Sequence, residues 1–321
     1  MSSRELIARR AREVSASRLP DVPSPCISVC RMDPVTQYCE GCFRTLDEIA
    51  AWGRMEDAGK REVWRLIGQR ALAPAVSQGN DAQDRALPGA PEQDGRAQSS
   101  QRTAGKNMKQ ITFYLDFVSP FAYLAFEKLP EALLGLSYAV DYRPVLFAGM
   151  LKHHGQLGPA EIGPKRDWTY RQVLWLAHTQ GIPLQMSAAH PFNPLALLRL
   201  ALACDARVAN RYVCETIFRH VWRGGADAAD TQRLAALTQA LQPRRDPAGD
   251  DVKADLKANT EEAIARGLFG VPTCAVDDKL FWGFDALSML RAYLEGDAWF
   301  ASGAWEAAQR LPVGVARAGR G

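Results

Sequence analysis

Three stretches of the chain carry residue types and spacings that could do chemistry. The first is Ser119-Pro120, where the strand-like run ITFYLDF gives way to the apolar, helix-compatible FAYLAF. A hydroxyl at such a junction can cap the helix, with Pro120 preset for its first position. It can also donate to an anion held by the free N–H groups of the first turn. The second is Val271-Pro272 in FGVPT, a proline that opens a strand. The third is a run of four cysteines, Cys26, Cys30, Cys39 and Cys42, spaced C-x3-C-x8-C-x2-C. Four thiols on one short irregular segment can converge on one ion, and tetrahedral thiolates suit structural zinc or an iron-sulfur centre equally. Cys204, Cys214 and Cys274 stand apart in apolar surroundings and read as small buried hydrophobes. His153, His154, His178, His190 and His220 show no metal-ligand spacing and read as surface or pocket-lining residues.

These residues need elements to position them. A strand over 110–117, a helix from Pro120 to about Leu134 and a second strand in LSYAVDYRPVLF form a β-α-β opening. From Leu146 to about Ala240 the periodicity turns helical, and then GLFGVPTCAV, a turn at Asp277-Asp278, KLFWGF and the helix DALSMLRAYLEG follow. The pattern predicts an α/β fold: a thioredoxin-like domain over 108–300 with an inserted all-helical domain at about 147–250, followed by a C-terminal tail over 301–321. In such a fold a redox cysteine sits at the N-terminus of the first helix, where the dipole and free N–H groups stabilise a thiolate. Ser119 stands there instead, and SPFA contains no Cys-x-x-Cys. The site therefore suits a borrowed thiol, with Ser119 donating its O–H to the thiolate of bound glutathione. Pro272 falls where a cis-proline flanks that site, leaving the Val271 backbone to pair with the cysteinyl unit of the tripeptide. Asp285, at the start of the last helix, is an N-cap, a partner for the γ-glutamyl ammonium, or both.

The motifs FYLDFVSPFAY, FGVPT and FWGFDAL, separated by a helical insertion, resemble the 2-hydroxychromene-2-carboxylate isomerases, relatives of the kappa-class glutathione transferases and of DsbA-like proteins, over roughly Lys109 to Phe300. The resemblance implies that Ser119 activates glutathione, that Val271 and Pro272 bind its backbone, and that Asp285, beside Phe284, holds its γ-glutamyl end. LKHHGQ and GPK map Lys152 and Lys165 onto basic positions facing a substrate pocket, and HPFNPLALLR maps Asn193 onto a family asparagine. Gln156, Phe284 and Cys274 depart from the family pattern and bear on the substrate more than on glutathione. The implied reaction interconverts 2-hydroxychromene-2-carboxylate and trans-o-hydroxybenzylidenepyruvate, or a similar small aromatic catabolite, with glutathione as catalyst. Lys152 and Lys165 would hold the pyruvate-like carboxylate and stabilise enolate charge. A kappa-type transferase, in which glutathione ends in the product, and a non-catalytic glutathione-binding scaffold remain alternatives.

The cysteine segment, SPCISVC to CFRTLDEIAAWGRM, resembles the DUF1289 family from Pro23 to about Arg70, which implies an iron-sulfur centre where the donor set also suits zinc. The helix after Thr45, with Glu48 completing a capping box, offers Ile49, Trp52 and Met55 as its apolar face. This gives a four-cysteine module over 23–73, preceded by a flexible, arginine-rich arm over 1–22. It is followed by a disordered linker over 74–107, rich in Gly, Pro, Gln, Ser and Asp. Met108 then restarts what reads as an independent unit.

The 321 residues are 47% hydrophobic, enough for a large domain and a small one. A net charge of +3 on 23% charged residues points to no nucleic-acid groove and no membrane patch. No run reaches membrane-span length, and seven cysteines would leave one unpaired in an oxidising compartment, so a cytoplasmic protein is expected. A homodimer stays open.

Overall fold

The computed structural model describes residues 3–18, 22–27, 29–30, 32–73, 108–312 and 314, so the linker expected at 74–107 lies outside the described residues. Residues Ser3–Ala16 form helix α1. Ile7, Ala8, Ala11 and Val14 fall on one helical face, and Ala8 and Ala11 are each 1% exposed. The face packs on helix α3 (Asp57–Leu72) in a cluster with Val63, Trp64 and Ile67. Close approach depends on small residues: a Cβ on Gly68 would stand 3.1 Å from that of Ala11. The flexible arm expected over 1–22 is thus corrected, because small apolar side chains between the arginines form a stripe that a neighbouring helix buries.

Between these helices lie strand β1 (Val29–Cys30) and helix α2 (Leu46–Ala51). The expected capping box is present: Glu48 N–H donates to Thr45 Oγ1 at 3.2 Å and Thr45 N–H to Glu48 Oε2 at 2.9 Å. Glu48 also pairs with Arg70 of α3 at 2.6 Å.

The larger unit begins with strand β2 (Lys109–Leu115), helix α4 (Pro120–Ala132) and strand β3 (Tyr138–Pro144). Six helices follow: α5 (Phe147–His153), α6 (Gly163–Gln180), α7 (Leu195–Ala203), α8 (Arg211–Trp222), α9 (Thr231–Leu241) and α10 (Asp250–Ala265). Strands β4 (Thr273–Val276) and β5 (Lys279–Trp282) and helix α11 (Leu287–Glu295) close the fold. The sheet order is β1-β3-β2-β4-β5, with β2 and β3 parallel and the other pairs antiparallel. Parallel β2 and β3 end together, with Leu115 opposite Pro144, and antiparallel β4 begins at that same end, with Thr273 opposite Tyr114. The topology therefore brings Ser119, Phe147 and Val271 to one end of the sheet.

The insertion shares the main core. Phe218 of α8 packs against Phe117 at 4.9 Å and Phe126 at 5.1 Å between ring centroids, and Trp222 is fully buried. It also runs to Ala265, past the end expected near residue 250. Beyond residue 300, where a tail was expected, helix α12 (Ala304–Ala308) sets Trp305 against Phe281 at 5.7 Å.

The two units are also docked. β1 pairs with β3, Val29 opposite Ala139 and Cys30 opposite Tyr138. Ser24 N–H donates to both Glu215 carboxylate oxygens at 3.3 Å, and the Arg10 guanidinium lies 3.9 Å from the Tyr212 ring centre. The reading of a second unit standing apart from the first gives way to one continuous sheet, because β3 presents an open edge that the cysteine segment completes.

Candidate functional site

Ser119 caps α4 in an extended conformation (φ −88°, ψ 114°), with Pro120 at the first helical position. Its Oγ accepts the Ala122 N–H at 3.2 Å and donates to the Val271 carbonyl at 3.3 Å, and the residue is 8% exposed. The capping role is thus real. The second bond is long, which leaves the hydroxyl proton easily redirected to a better acceptor. The Val271-Pro272 peptide is cis, as expected. Among the described residues the Val271 N–H makes no hydrogen bond, so a donor beside the serine is left for a ligand. The Pro272 carbonyl accepts the Gly283 N–H at 2.9 Å, which ties the loop after β5 to this corner.

That loop carries Phe284 and Asp285. Phe284 packs against the cluster of Leu124 and Phe121 on α4. Gly283 needs its glycine, since φ is +100° and the Asp285 carboxylate occupies the space a Cβ would take. Asp285 is not the N-cap expected of it: Ala286 holds that position, and no side chain caps α11. The bend at Gly283 and the turn after it carry the chain past Asp285 before the helix begins at Leu287. The exposed carboxylate of Asp285 has no cation among the described residues, and the first turn of α11 keeps its N–H groups uncovered by a side chain.

Behind the serine lies Asp116, a residue that sequence reasoning passed over. It is 0% exposed, and its Oδ1 accepts the Val118 N–H at 3.1 Å while Oδ2 accepts the Phe147 N–H at 2.9 Å. One carboxylate thus joins the turn that carries Ser119 to the start of α5. Burial pushes this carboxyl up to about 7, against the opposing pull of the Phe147, Val118 and Phe117 N–H groups. A lone Asp closing an apolar strand was the available signal.

The expected substrate residues are gathered less completely. Lys152 sits exposed in the last turn of α5, without an ion partner among the described residues. That helix is anchored at its start by Asp116 and at its end by His154, whose Nε2 lies 3.0 Å from the Leu268 carbonyl, near Val271. Lys165, also exposed and without an ion partner among the described residues, lies in the first turn of α6. Asn193 turns its Oδ1 to the Leu195 N–H at 3.0 Å at the start of α7, which leaves only its amide N–H groups for a ligand.

The cysteines meet pairwise: the Cys30 thiol contacts those of Cys26 and Cys39, and Cys39 contacts Cys42. Hydrogen bonds from the Cys30 and Cys42 thiols and from the Cys42 and Gly41 N–H groups hold Cys39 far below the usual thiol range, while Cys30 and Cys42 are pushed up. Arg44, 2% exposed, places Nε 3.4 Å from Cys42 Sγ and its guanidinium 5.0 Å from the Trp52 ring centre. A buried guanidinium against the thiols suits a cluster that carries negative charge, as metal-bound thiolates do. Among the described residues no group of three or more His, Cys, Asp or Glu side chains is already disposed to hold an ion.

Comparison with known proteins adds to this geometry. Residues 110–295 match the DsbA-like thioredoxin domain, and residues 24–71 match DUF1289, a protein family of unknown function. The chain is 30% identical over 196 residues to 2-hydroxychromene-2-carboxylate isomerase of Sphingobium xenophagum, spanning 58% of this chain and 98% of that protein. It is 24% identical over 188 residues to glutathione S-transferase kappa 2 of Caenorhabditis elegans, spanning 54% of this chain and 83% of that one. A solved 2-hydroxychromene-2-carboxylate isomerase superposes with a TM-score of 0.52 at 24% identity, over 61% of this chain and 98% of the other, which agrees with the fold. No helix among the described residues is long and apolar enough to cross a membrane.

Proposed function

Because the chain belongs to the DsbA-like thioredoxin-domain family and, within it, to the 2-hydroxychromene-2-carboxylate isomerases, we propose that it is a glutathione-dependent cis/trans isomerase of 2-hydroxychromene-2-carboxylate or a similar small aromatic keto acid. The observation that carries this reading is Ser119 at the head of α4, with a redirectable hydroxyl and the unbonded Val271 N–H beside it, where the chain has no thiol of its own. Bound glutathione supplies the thiolate that adds to the conjugated substrate and leaves again once the bond has rotated. Ser119 turns its O–H from the Val271 carbonyl to the sulfur and, with the α4 N-terminus, favours the anion. The Val271 N–H holds the tripeptide backbone, with Pro272 and Phe284 shaping the groove, and Asp285 pairs with the ammonium while the uncapped turn of α11 receives the adjacent carboxylate. Lys152 and Lys165 hold the substrate carboxylate and the enolate charge, and Asn193 donates from its amide.

The similarity to a kappa glutathione transferase supports one second reading, conjugation of glutathione to an electrophile. Cys26, Cys30, Cys39 and Cys42 would hold zinc or an iron-sulfur centre, which would supply cross-linking of the segment that carries β1. Calorimetric titration tests the central site. Glutathione should bind wild type, and Asp285→Ala should weaken it about tenfold or more through loss of a charged partner. Absence of binding to wild type would overturn the proposal.

A further inference from the structure

The two peptide groups that lead into Ser119 are held by side chains from three directions. Val118 donates its N–H to Asp116 at 3.1 Å. The Phe117 carbonyl accepts the Trp222 Nε1–H of α8 at 3.1 Å. The Val118 carbonyl, half of the peptide group that leads into Ser119, lies 2.8 Å from His190 Nε2. A carbonyl can only accept, so Nε2 carries the proton. The other ring nitrogen, Nδ1, lies 2.7 Å from the Tyr170 hydroxyl of α6, so in a neutral ring with the proton on Nε2 it is the acceptor of that pair. The same hydroxyl is 2.9 Å from the His190 carbonyl, so its single proton is shared between the two acceptors. The imidazole is seated against Trp222 at 5.5 Å and Phe192 at 6.1 Å between ring centroids.

We propose that His190, backed by Tyr170, is a positioning residue for the thiol-activating serine: its Nε2–H grips the Val118 carbonyl and so fixes the peptide that delivers Ser119 to the head of α4. The physical need is twofold. The Val118–Ser119 peptide sets φ of Ser119 and hence where Oγ points. A carbonyl free to swing would also bring its negative end toward any anion held at that helix terminus, and a bound donor prevents this. Burial holds the imidazole below its usual range, so the ring is neutral at neutral pH, which leaves Nδ1 unprotonated toward Tyr170. The charged groups acting on the pair are Arg166 and Asp167, which act on Tyr170 in opposite directions, while burial raises that phenol. The clamp is thus insulated from net charge, and its contribution is orientation.

The role in catalysis rests on Ser119 serving a bound thiol, as proposed above, whereas the clamp itself does not. Two measurements separate them. In the first, the thiolate absorbance of the glutathione complex is titrated. His190→Phe keeps an aromatic ring against Trp222 but has no donor, and it should raise the bound thiol pKa by about one unit, a tenfold loss of thiolate at neutral pH. Affinity for S-methylglutathione, which has no ionisable thiol, should change less than threefold. His190→Gln, whose amide can reach the same carbonyl, should restore most of the shift, and Tyr170→Phe should produce part of it, which keeps the test open if His190→Phe misfolds. An unmoved titration in both His190→Phe and Tyr170→Phe, or a Gln variant no better than Phe, would overturn the proposal. In the second, nitrogen-15 spectra of unliganded wild type should show His190 as the Nε2–H tautomer with a slowly exchanging ring proton, a preference lost in Tyr170→Phe. An Nδ1–H tautomer would overturn the clamp. A wild type that binds no glutathione overturns the earlier reading instead, and the nitrogen spectra still decide whether His190 holds Val118.

Discussion

A serine at the head of α4, where a thioredoxin-like redox site would need a cysteine, changes the chemistry the position can do. Ser119 cannot exchange disulfides, but its Oγ is fixed by the Ala122 N–H while its proton rests on a weak acceptor, the Val271 carbonyl. Ser119→Ala should cost about 1 kcal/mol of stability as a lost cap. It should depress turnover more at neutral than at alkaline pH, because the bound thiol then ionises later. Equal loss across the pH range would mean that Ser119 is a cap alone. Asp116 gives a second prediction at this scale, with a definite sign. Its carboxyl is raised from 3.8 to about 7 by burial, so between those values the unfolded chain has released a proton that the folded chain still holds. Stability from this group is complete below about pH 4 and falls as pH rises toward 7, by on the order of 4 kcal/mol. Urea midpoints at pH 5 and pH 7.5 should therefore diverge more in wild type than in Asp116→Asn. An identical difference in the two proteins would show that Asp116 is not the group responsible.

At the scale of elements, the thiol cluster meets the sheet at Cys30, which is both a thiol of the cluster and a residue of β1 opposite Tyr138. Cys39→Ser should loosen that segment and speed amide hydrogen exchange on the β3 edge at Tyr138 and Ala139 about tenfold or more. Unchanged exchange would mean that β1 stays paired without the thiol cluster. The order of elements around the site was readable because β2, α4, β3, β4, β5 and α11 each have a regular apolar pattern and a marked boundary, such as Ser119-Pro120 or Pro272. Helix α10 was not, because its buried face is Val252, Leu256, Asn259, Thr260 and Ala263, where polar residues take core positions by bonding inward: Asn259 Nδ2 donates to the Pro144 and Arg207 carbonyls, and Thr260 Oγ1 accepts the Leu146 N–H. Helix α1 was missed for the converse reason, a narrow stripe of alanines amid arginines. The positions proposed to face glutathione, Ser119, Val271, Pro272 and Phe284-Asp285, were legible as motifs. The tertiary bonds of Asp116 and His190, by contrast, join positions 31 and 72 residues apart in the chain, which no local pattern encodes.

At the scale of the whole molecule, the small unit is a cover for the large one. Removing residues 1–107 exposes the β3 edge and takes the Ser24 N–H from the nearly buried Glu215, which keeps Arg219 at 2.7 Å. The truncated protein should fold, since α4, α8 and the sheet retain their shared core, but it should unfold at lower denaturant and associate through the open edge. Unaltered stability and a monomeric state would show that docking contributes nothing. The central claim is that glutathione acts as a catalyst at Ser119, and the most direct measurement is conversion of 2-hydroxychromene-2-carboxylate with glutathione at a tenth of the substrate concentration, followed at the chromene and benzylidenepyruvate absorbance bands. The account predicts conversion to equilibrium with all the glutathione recovered unmodified by mass spectrometry; conversion that stops at a tenth with a glutathione adduct as product, or no conversion dependent on glutathione, would contradict it.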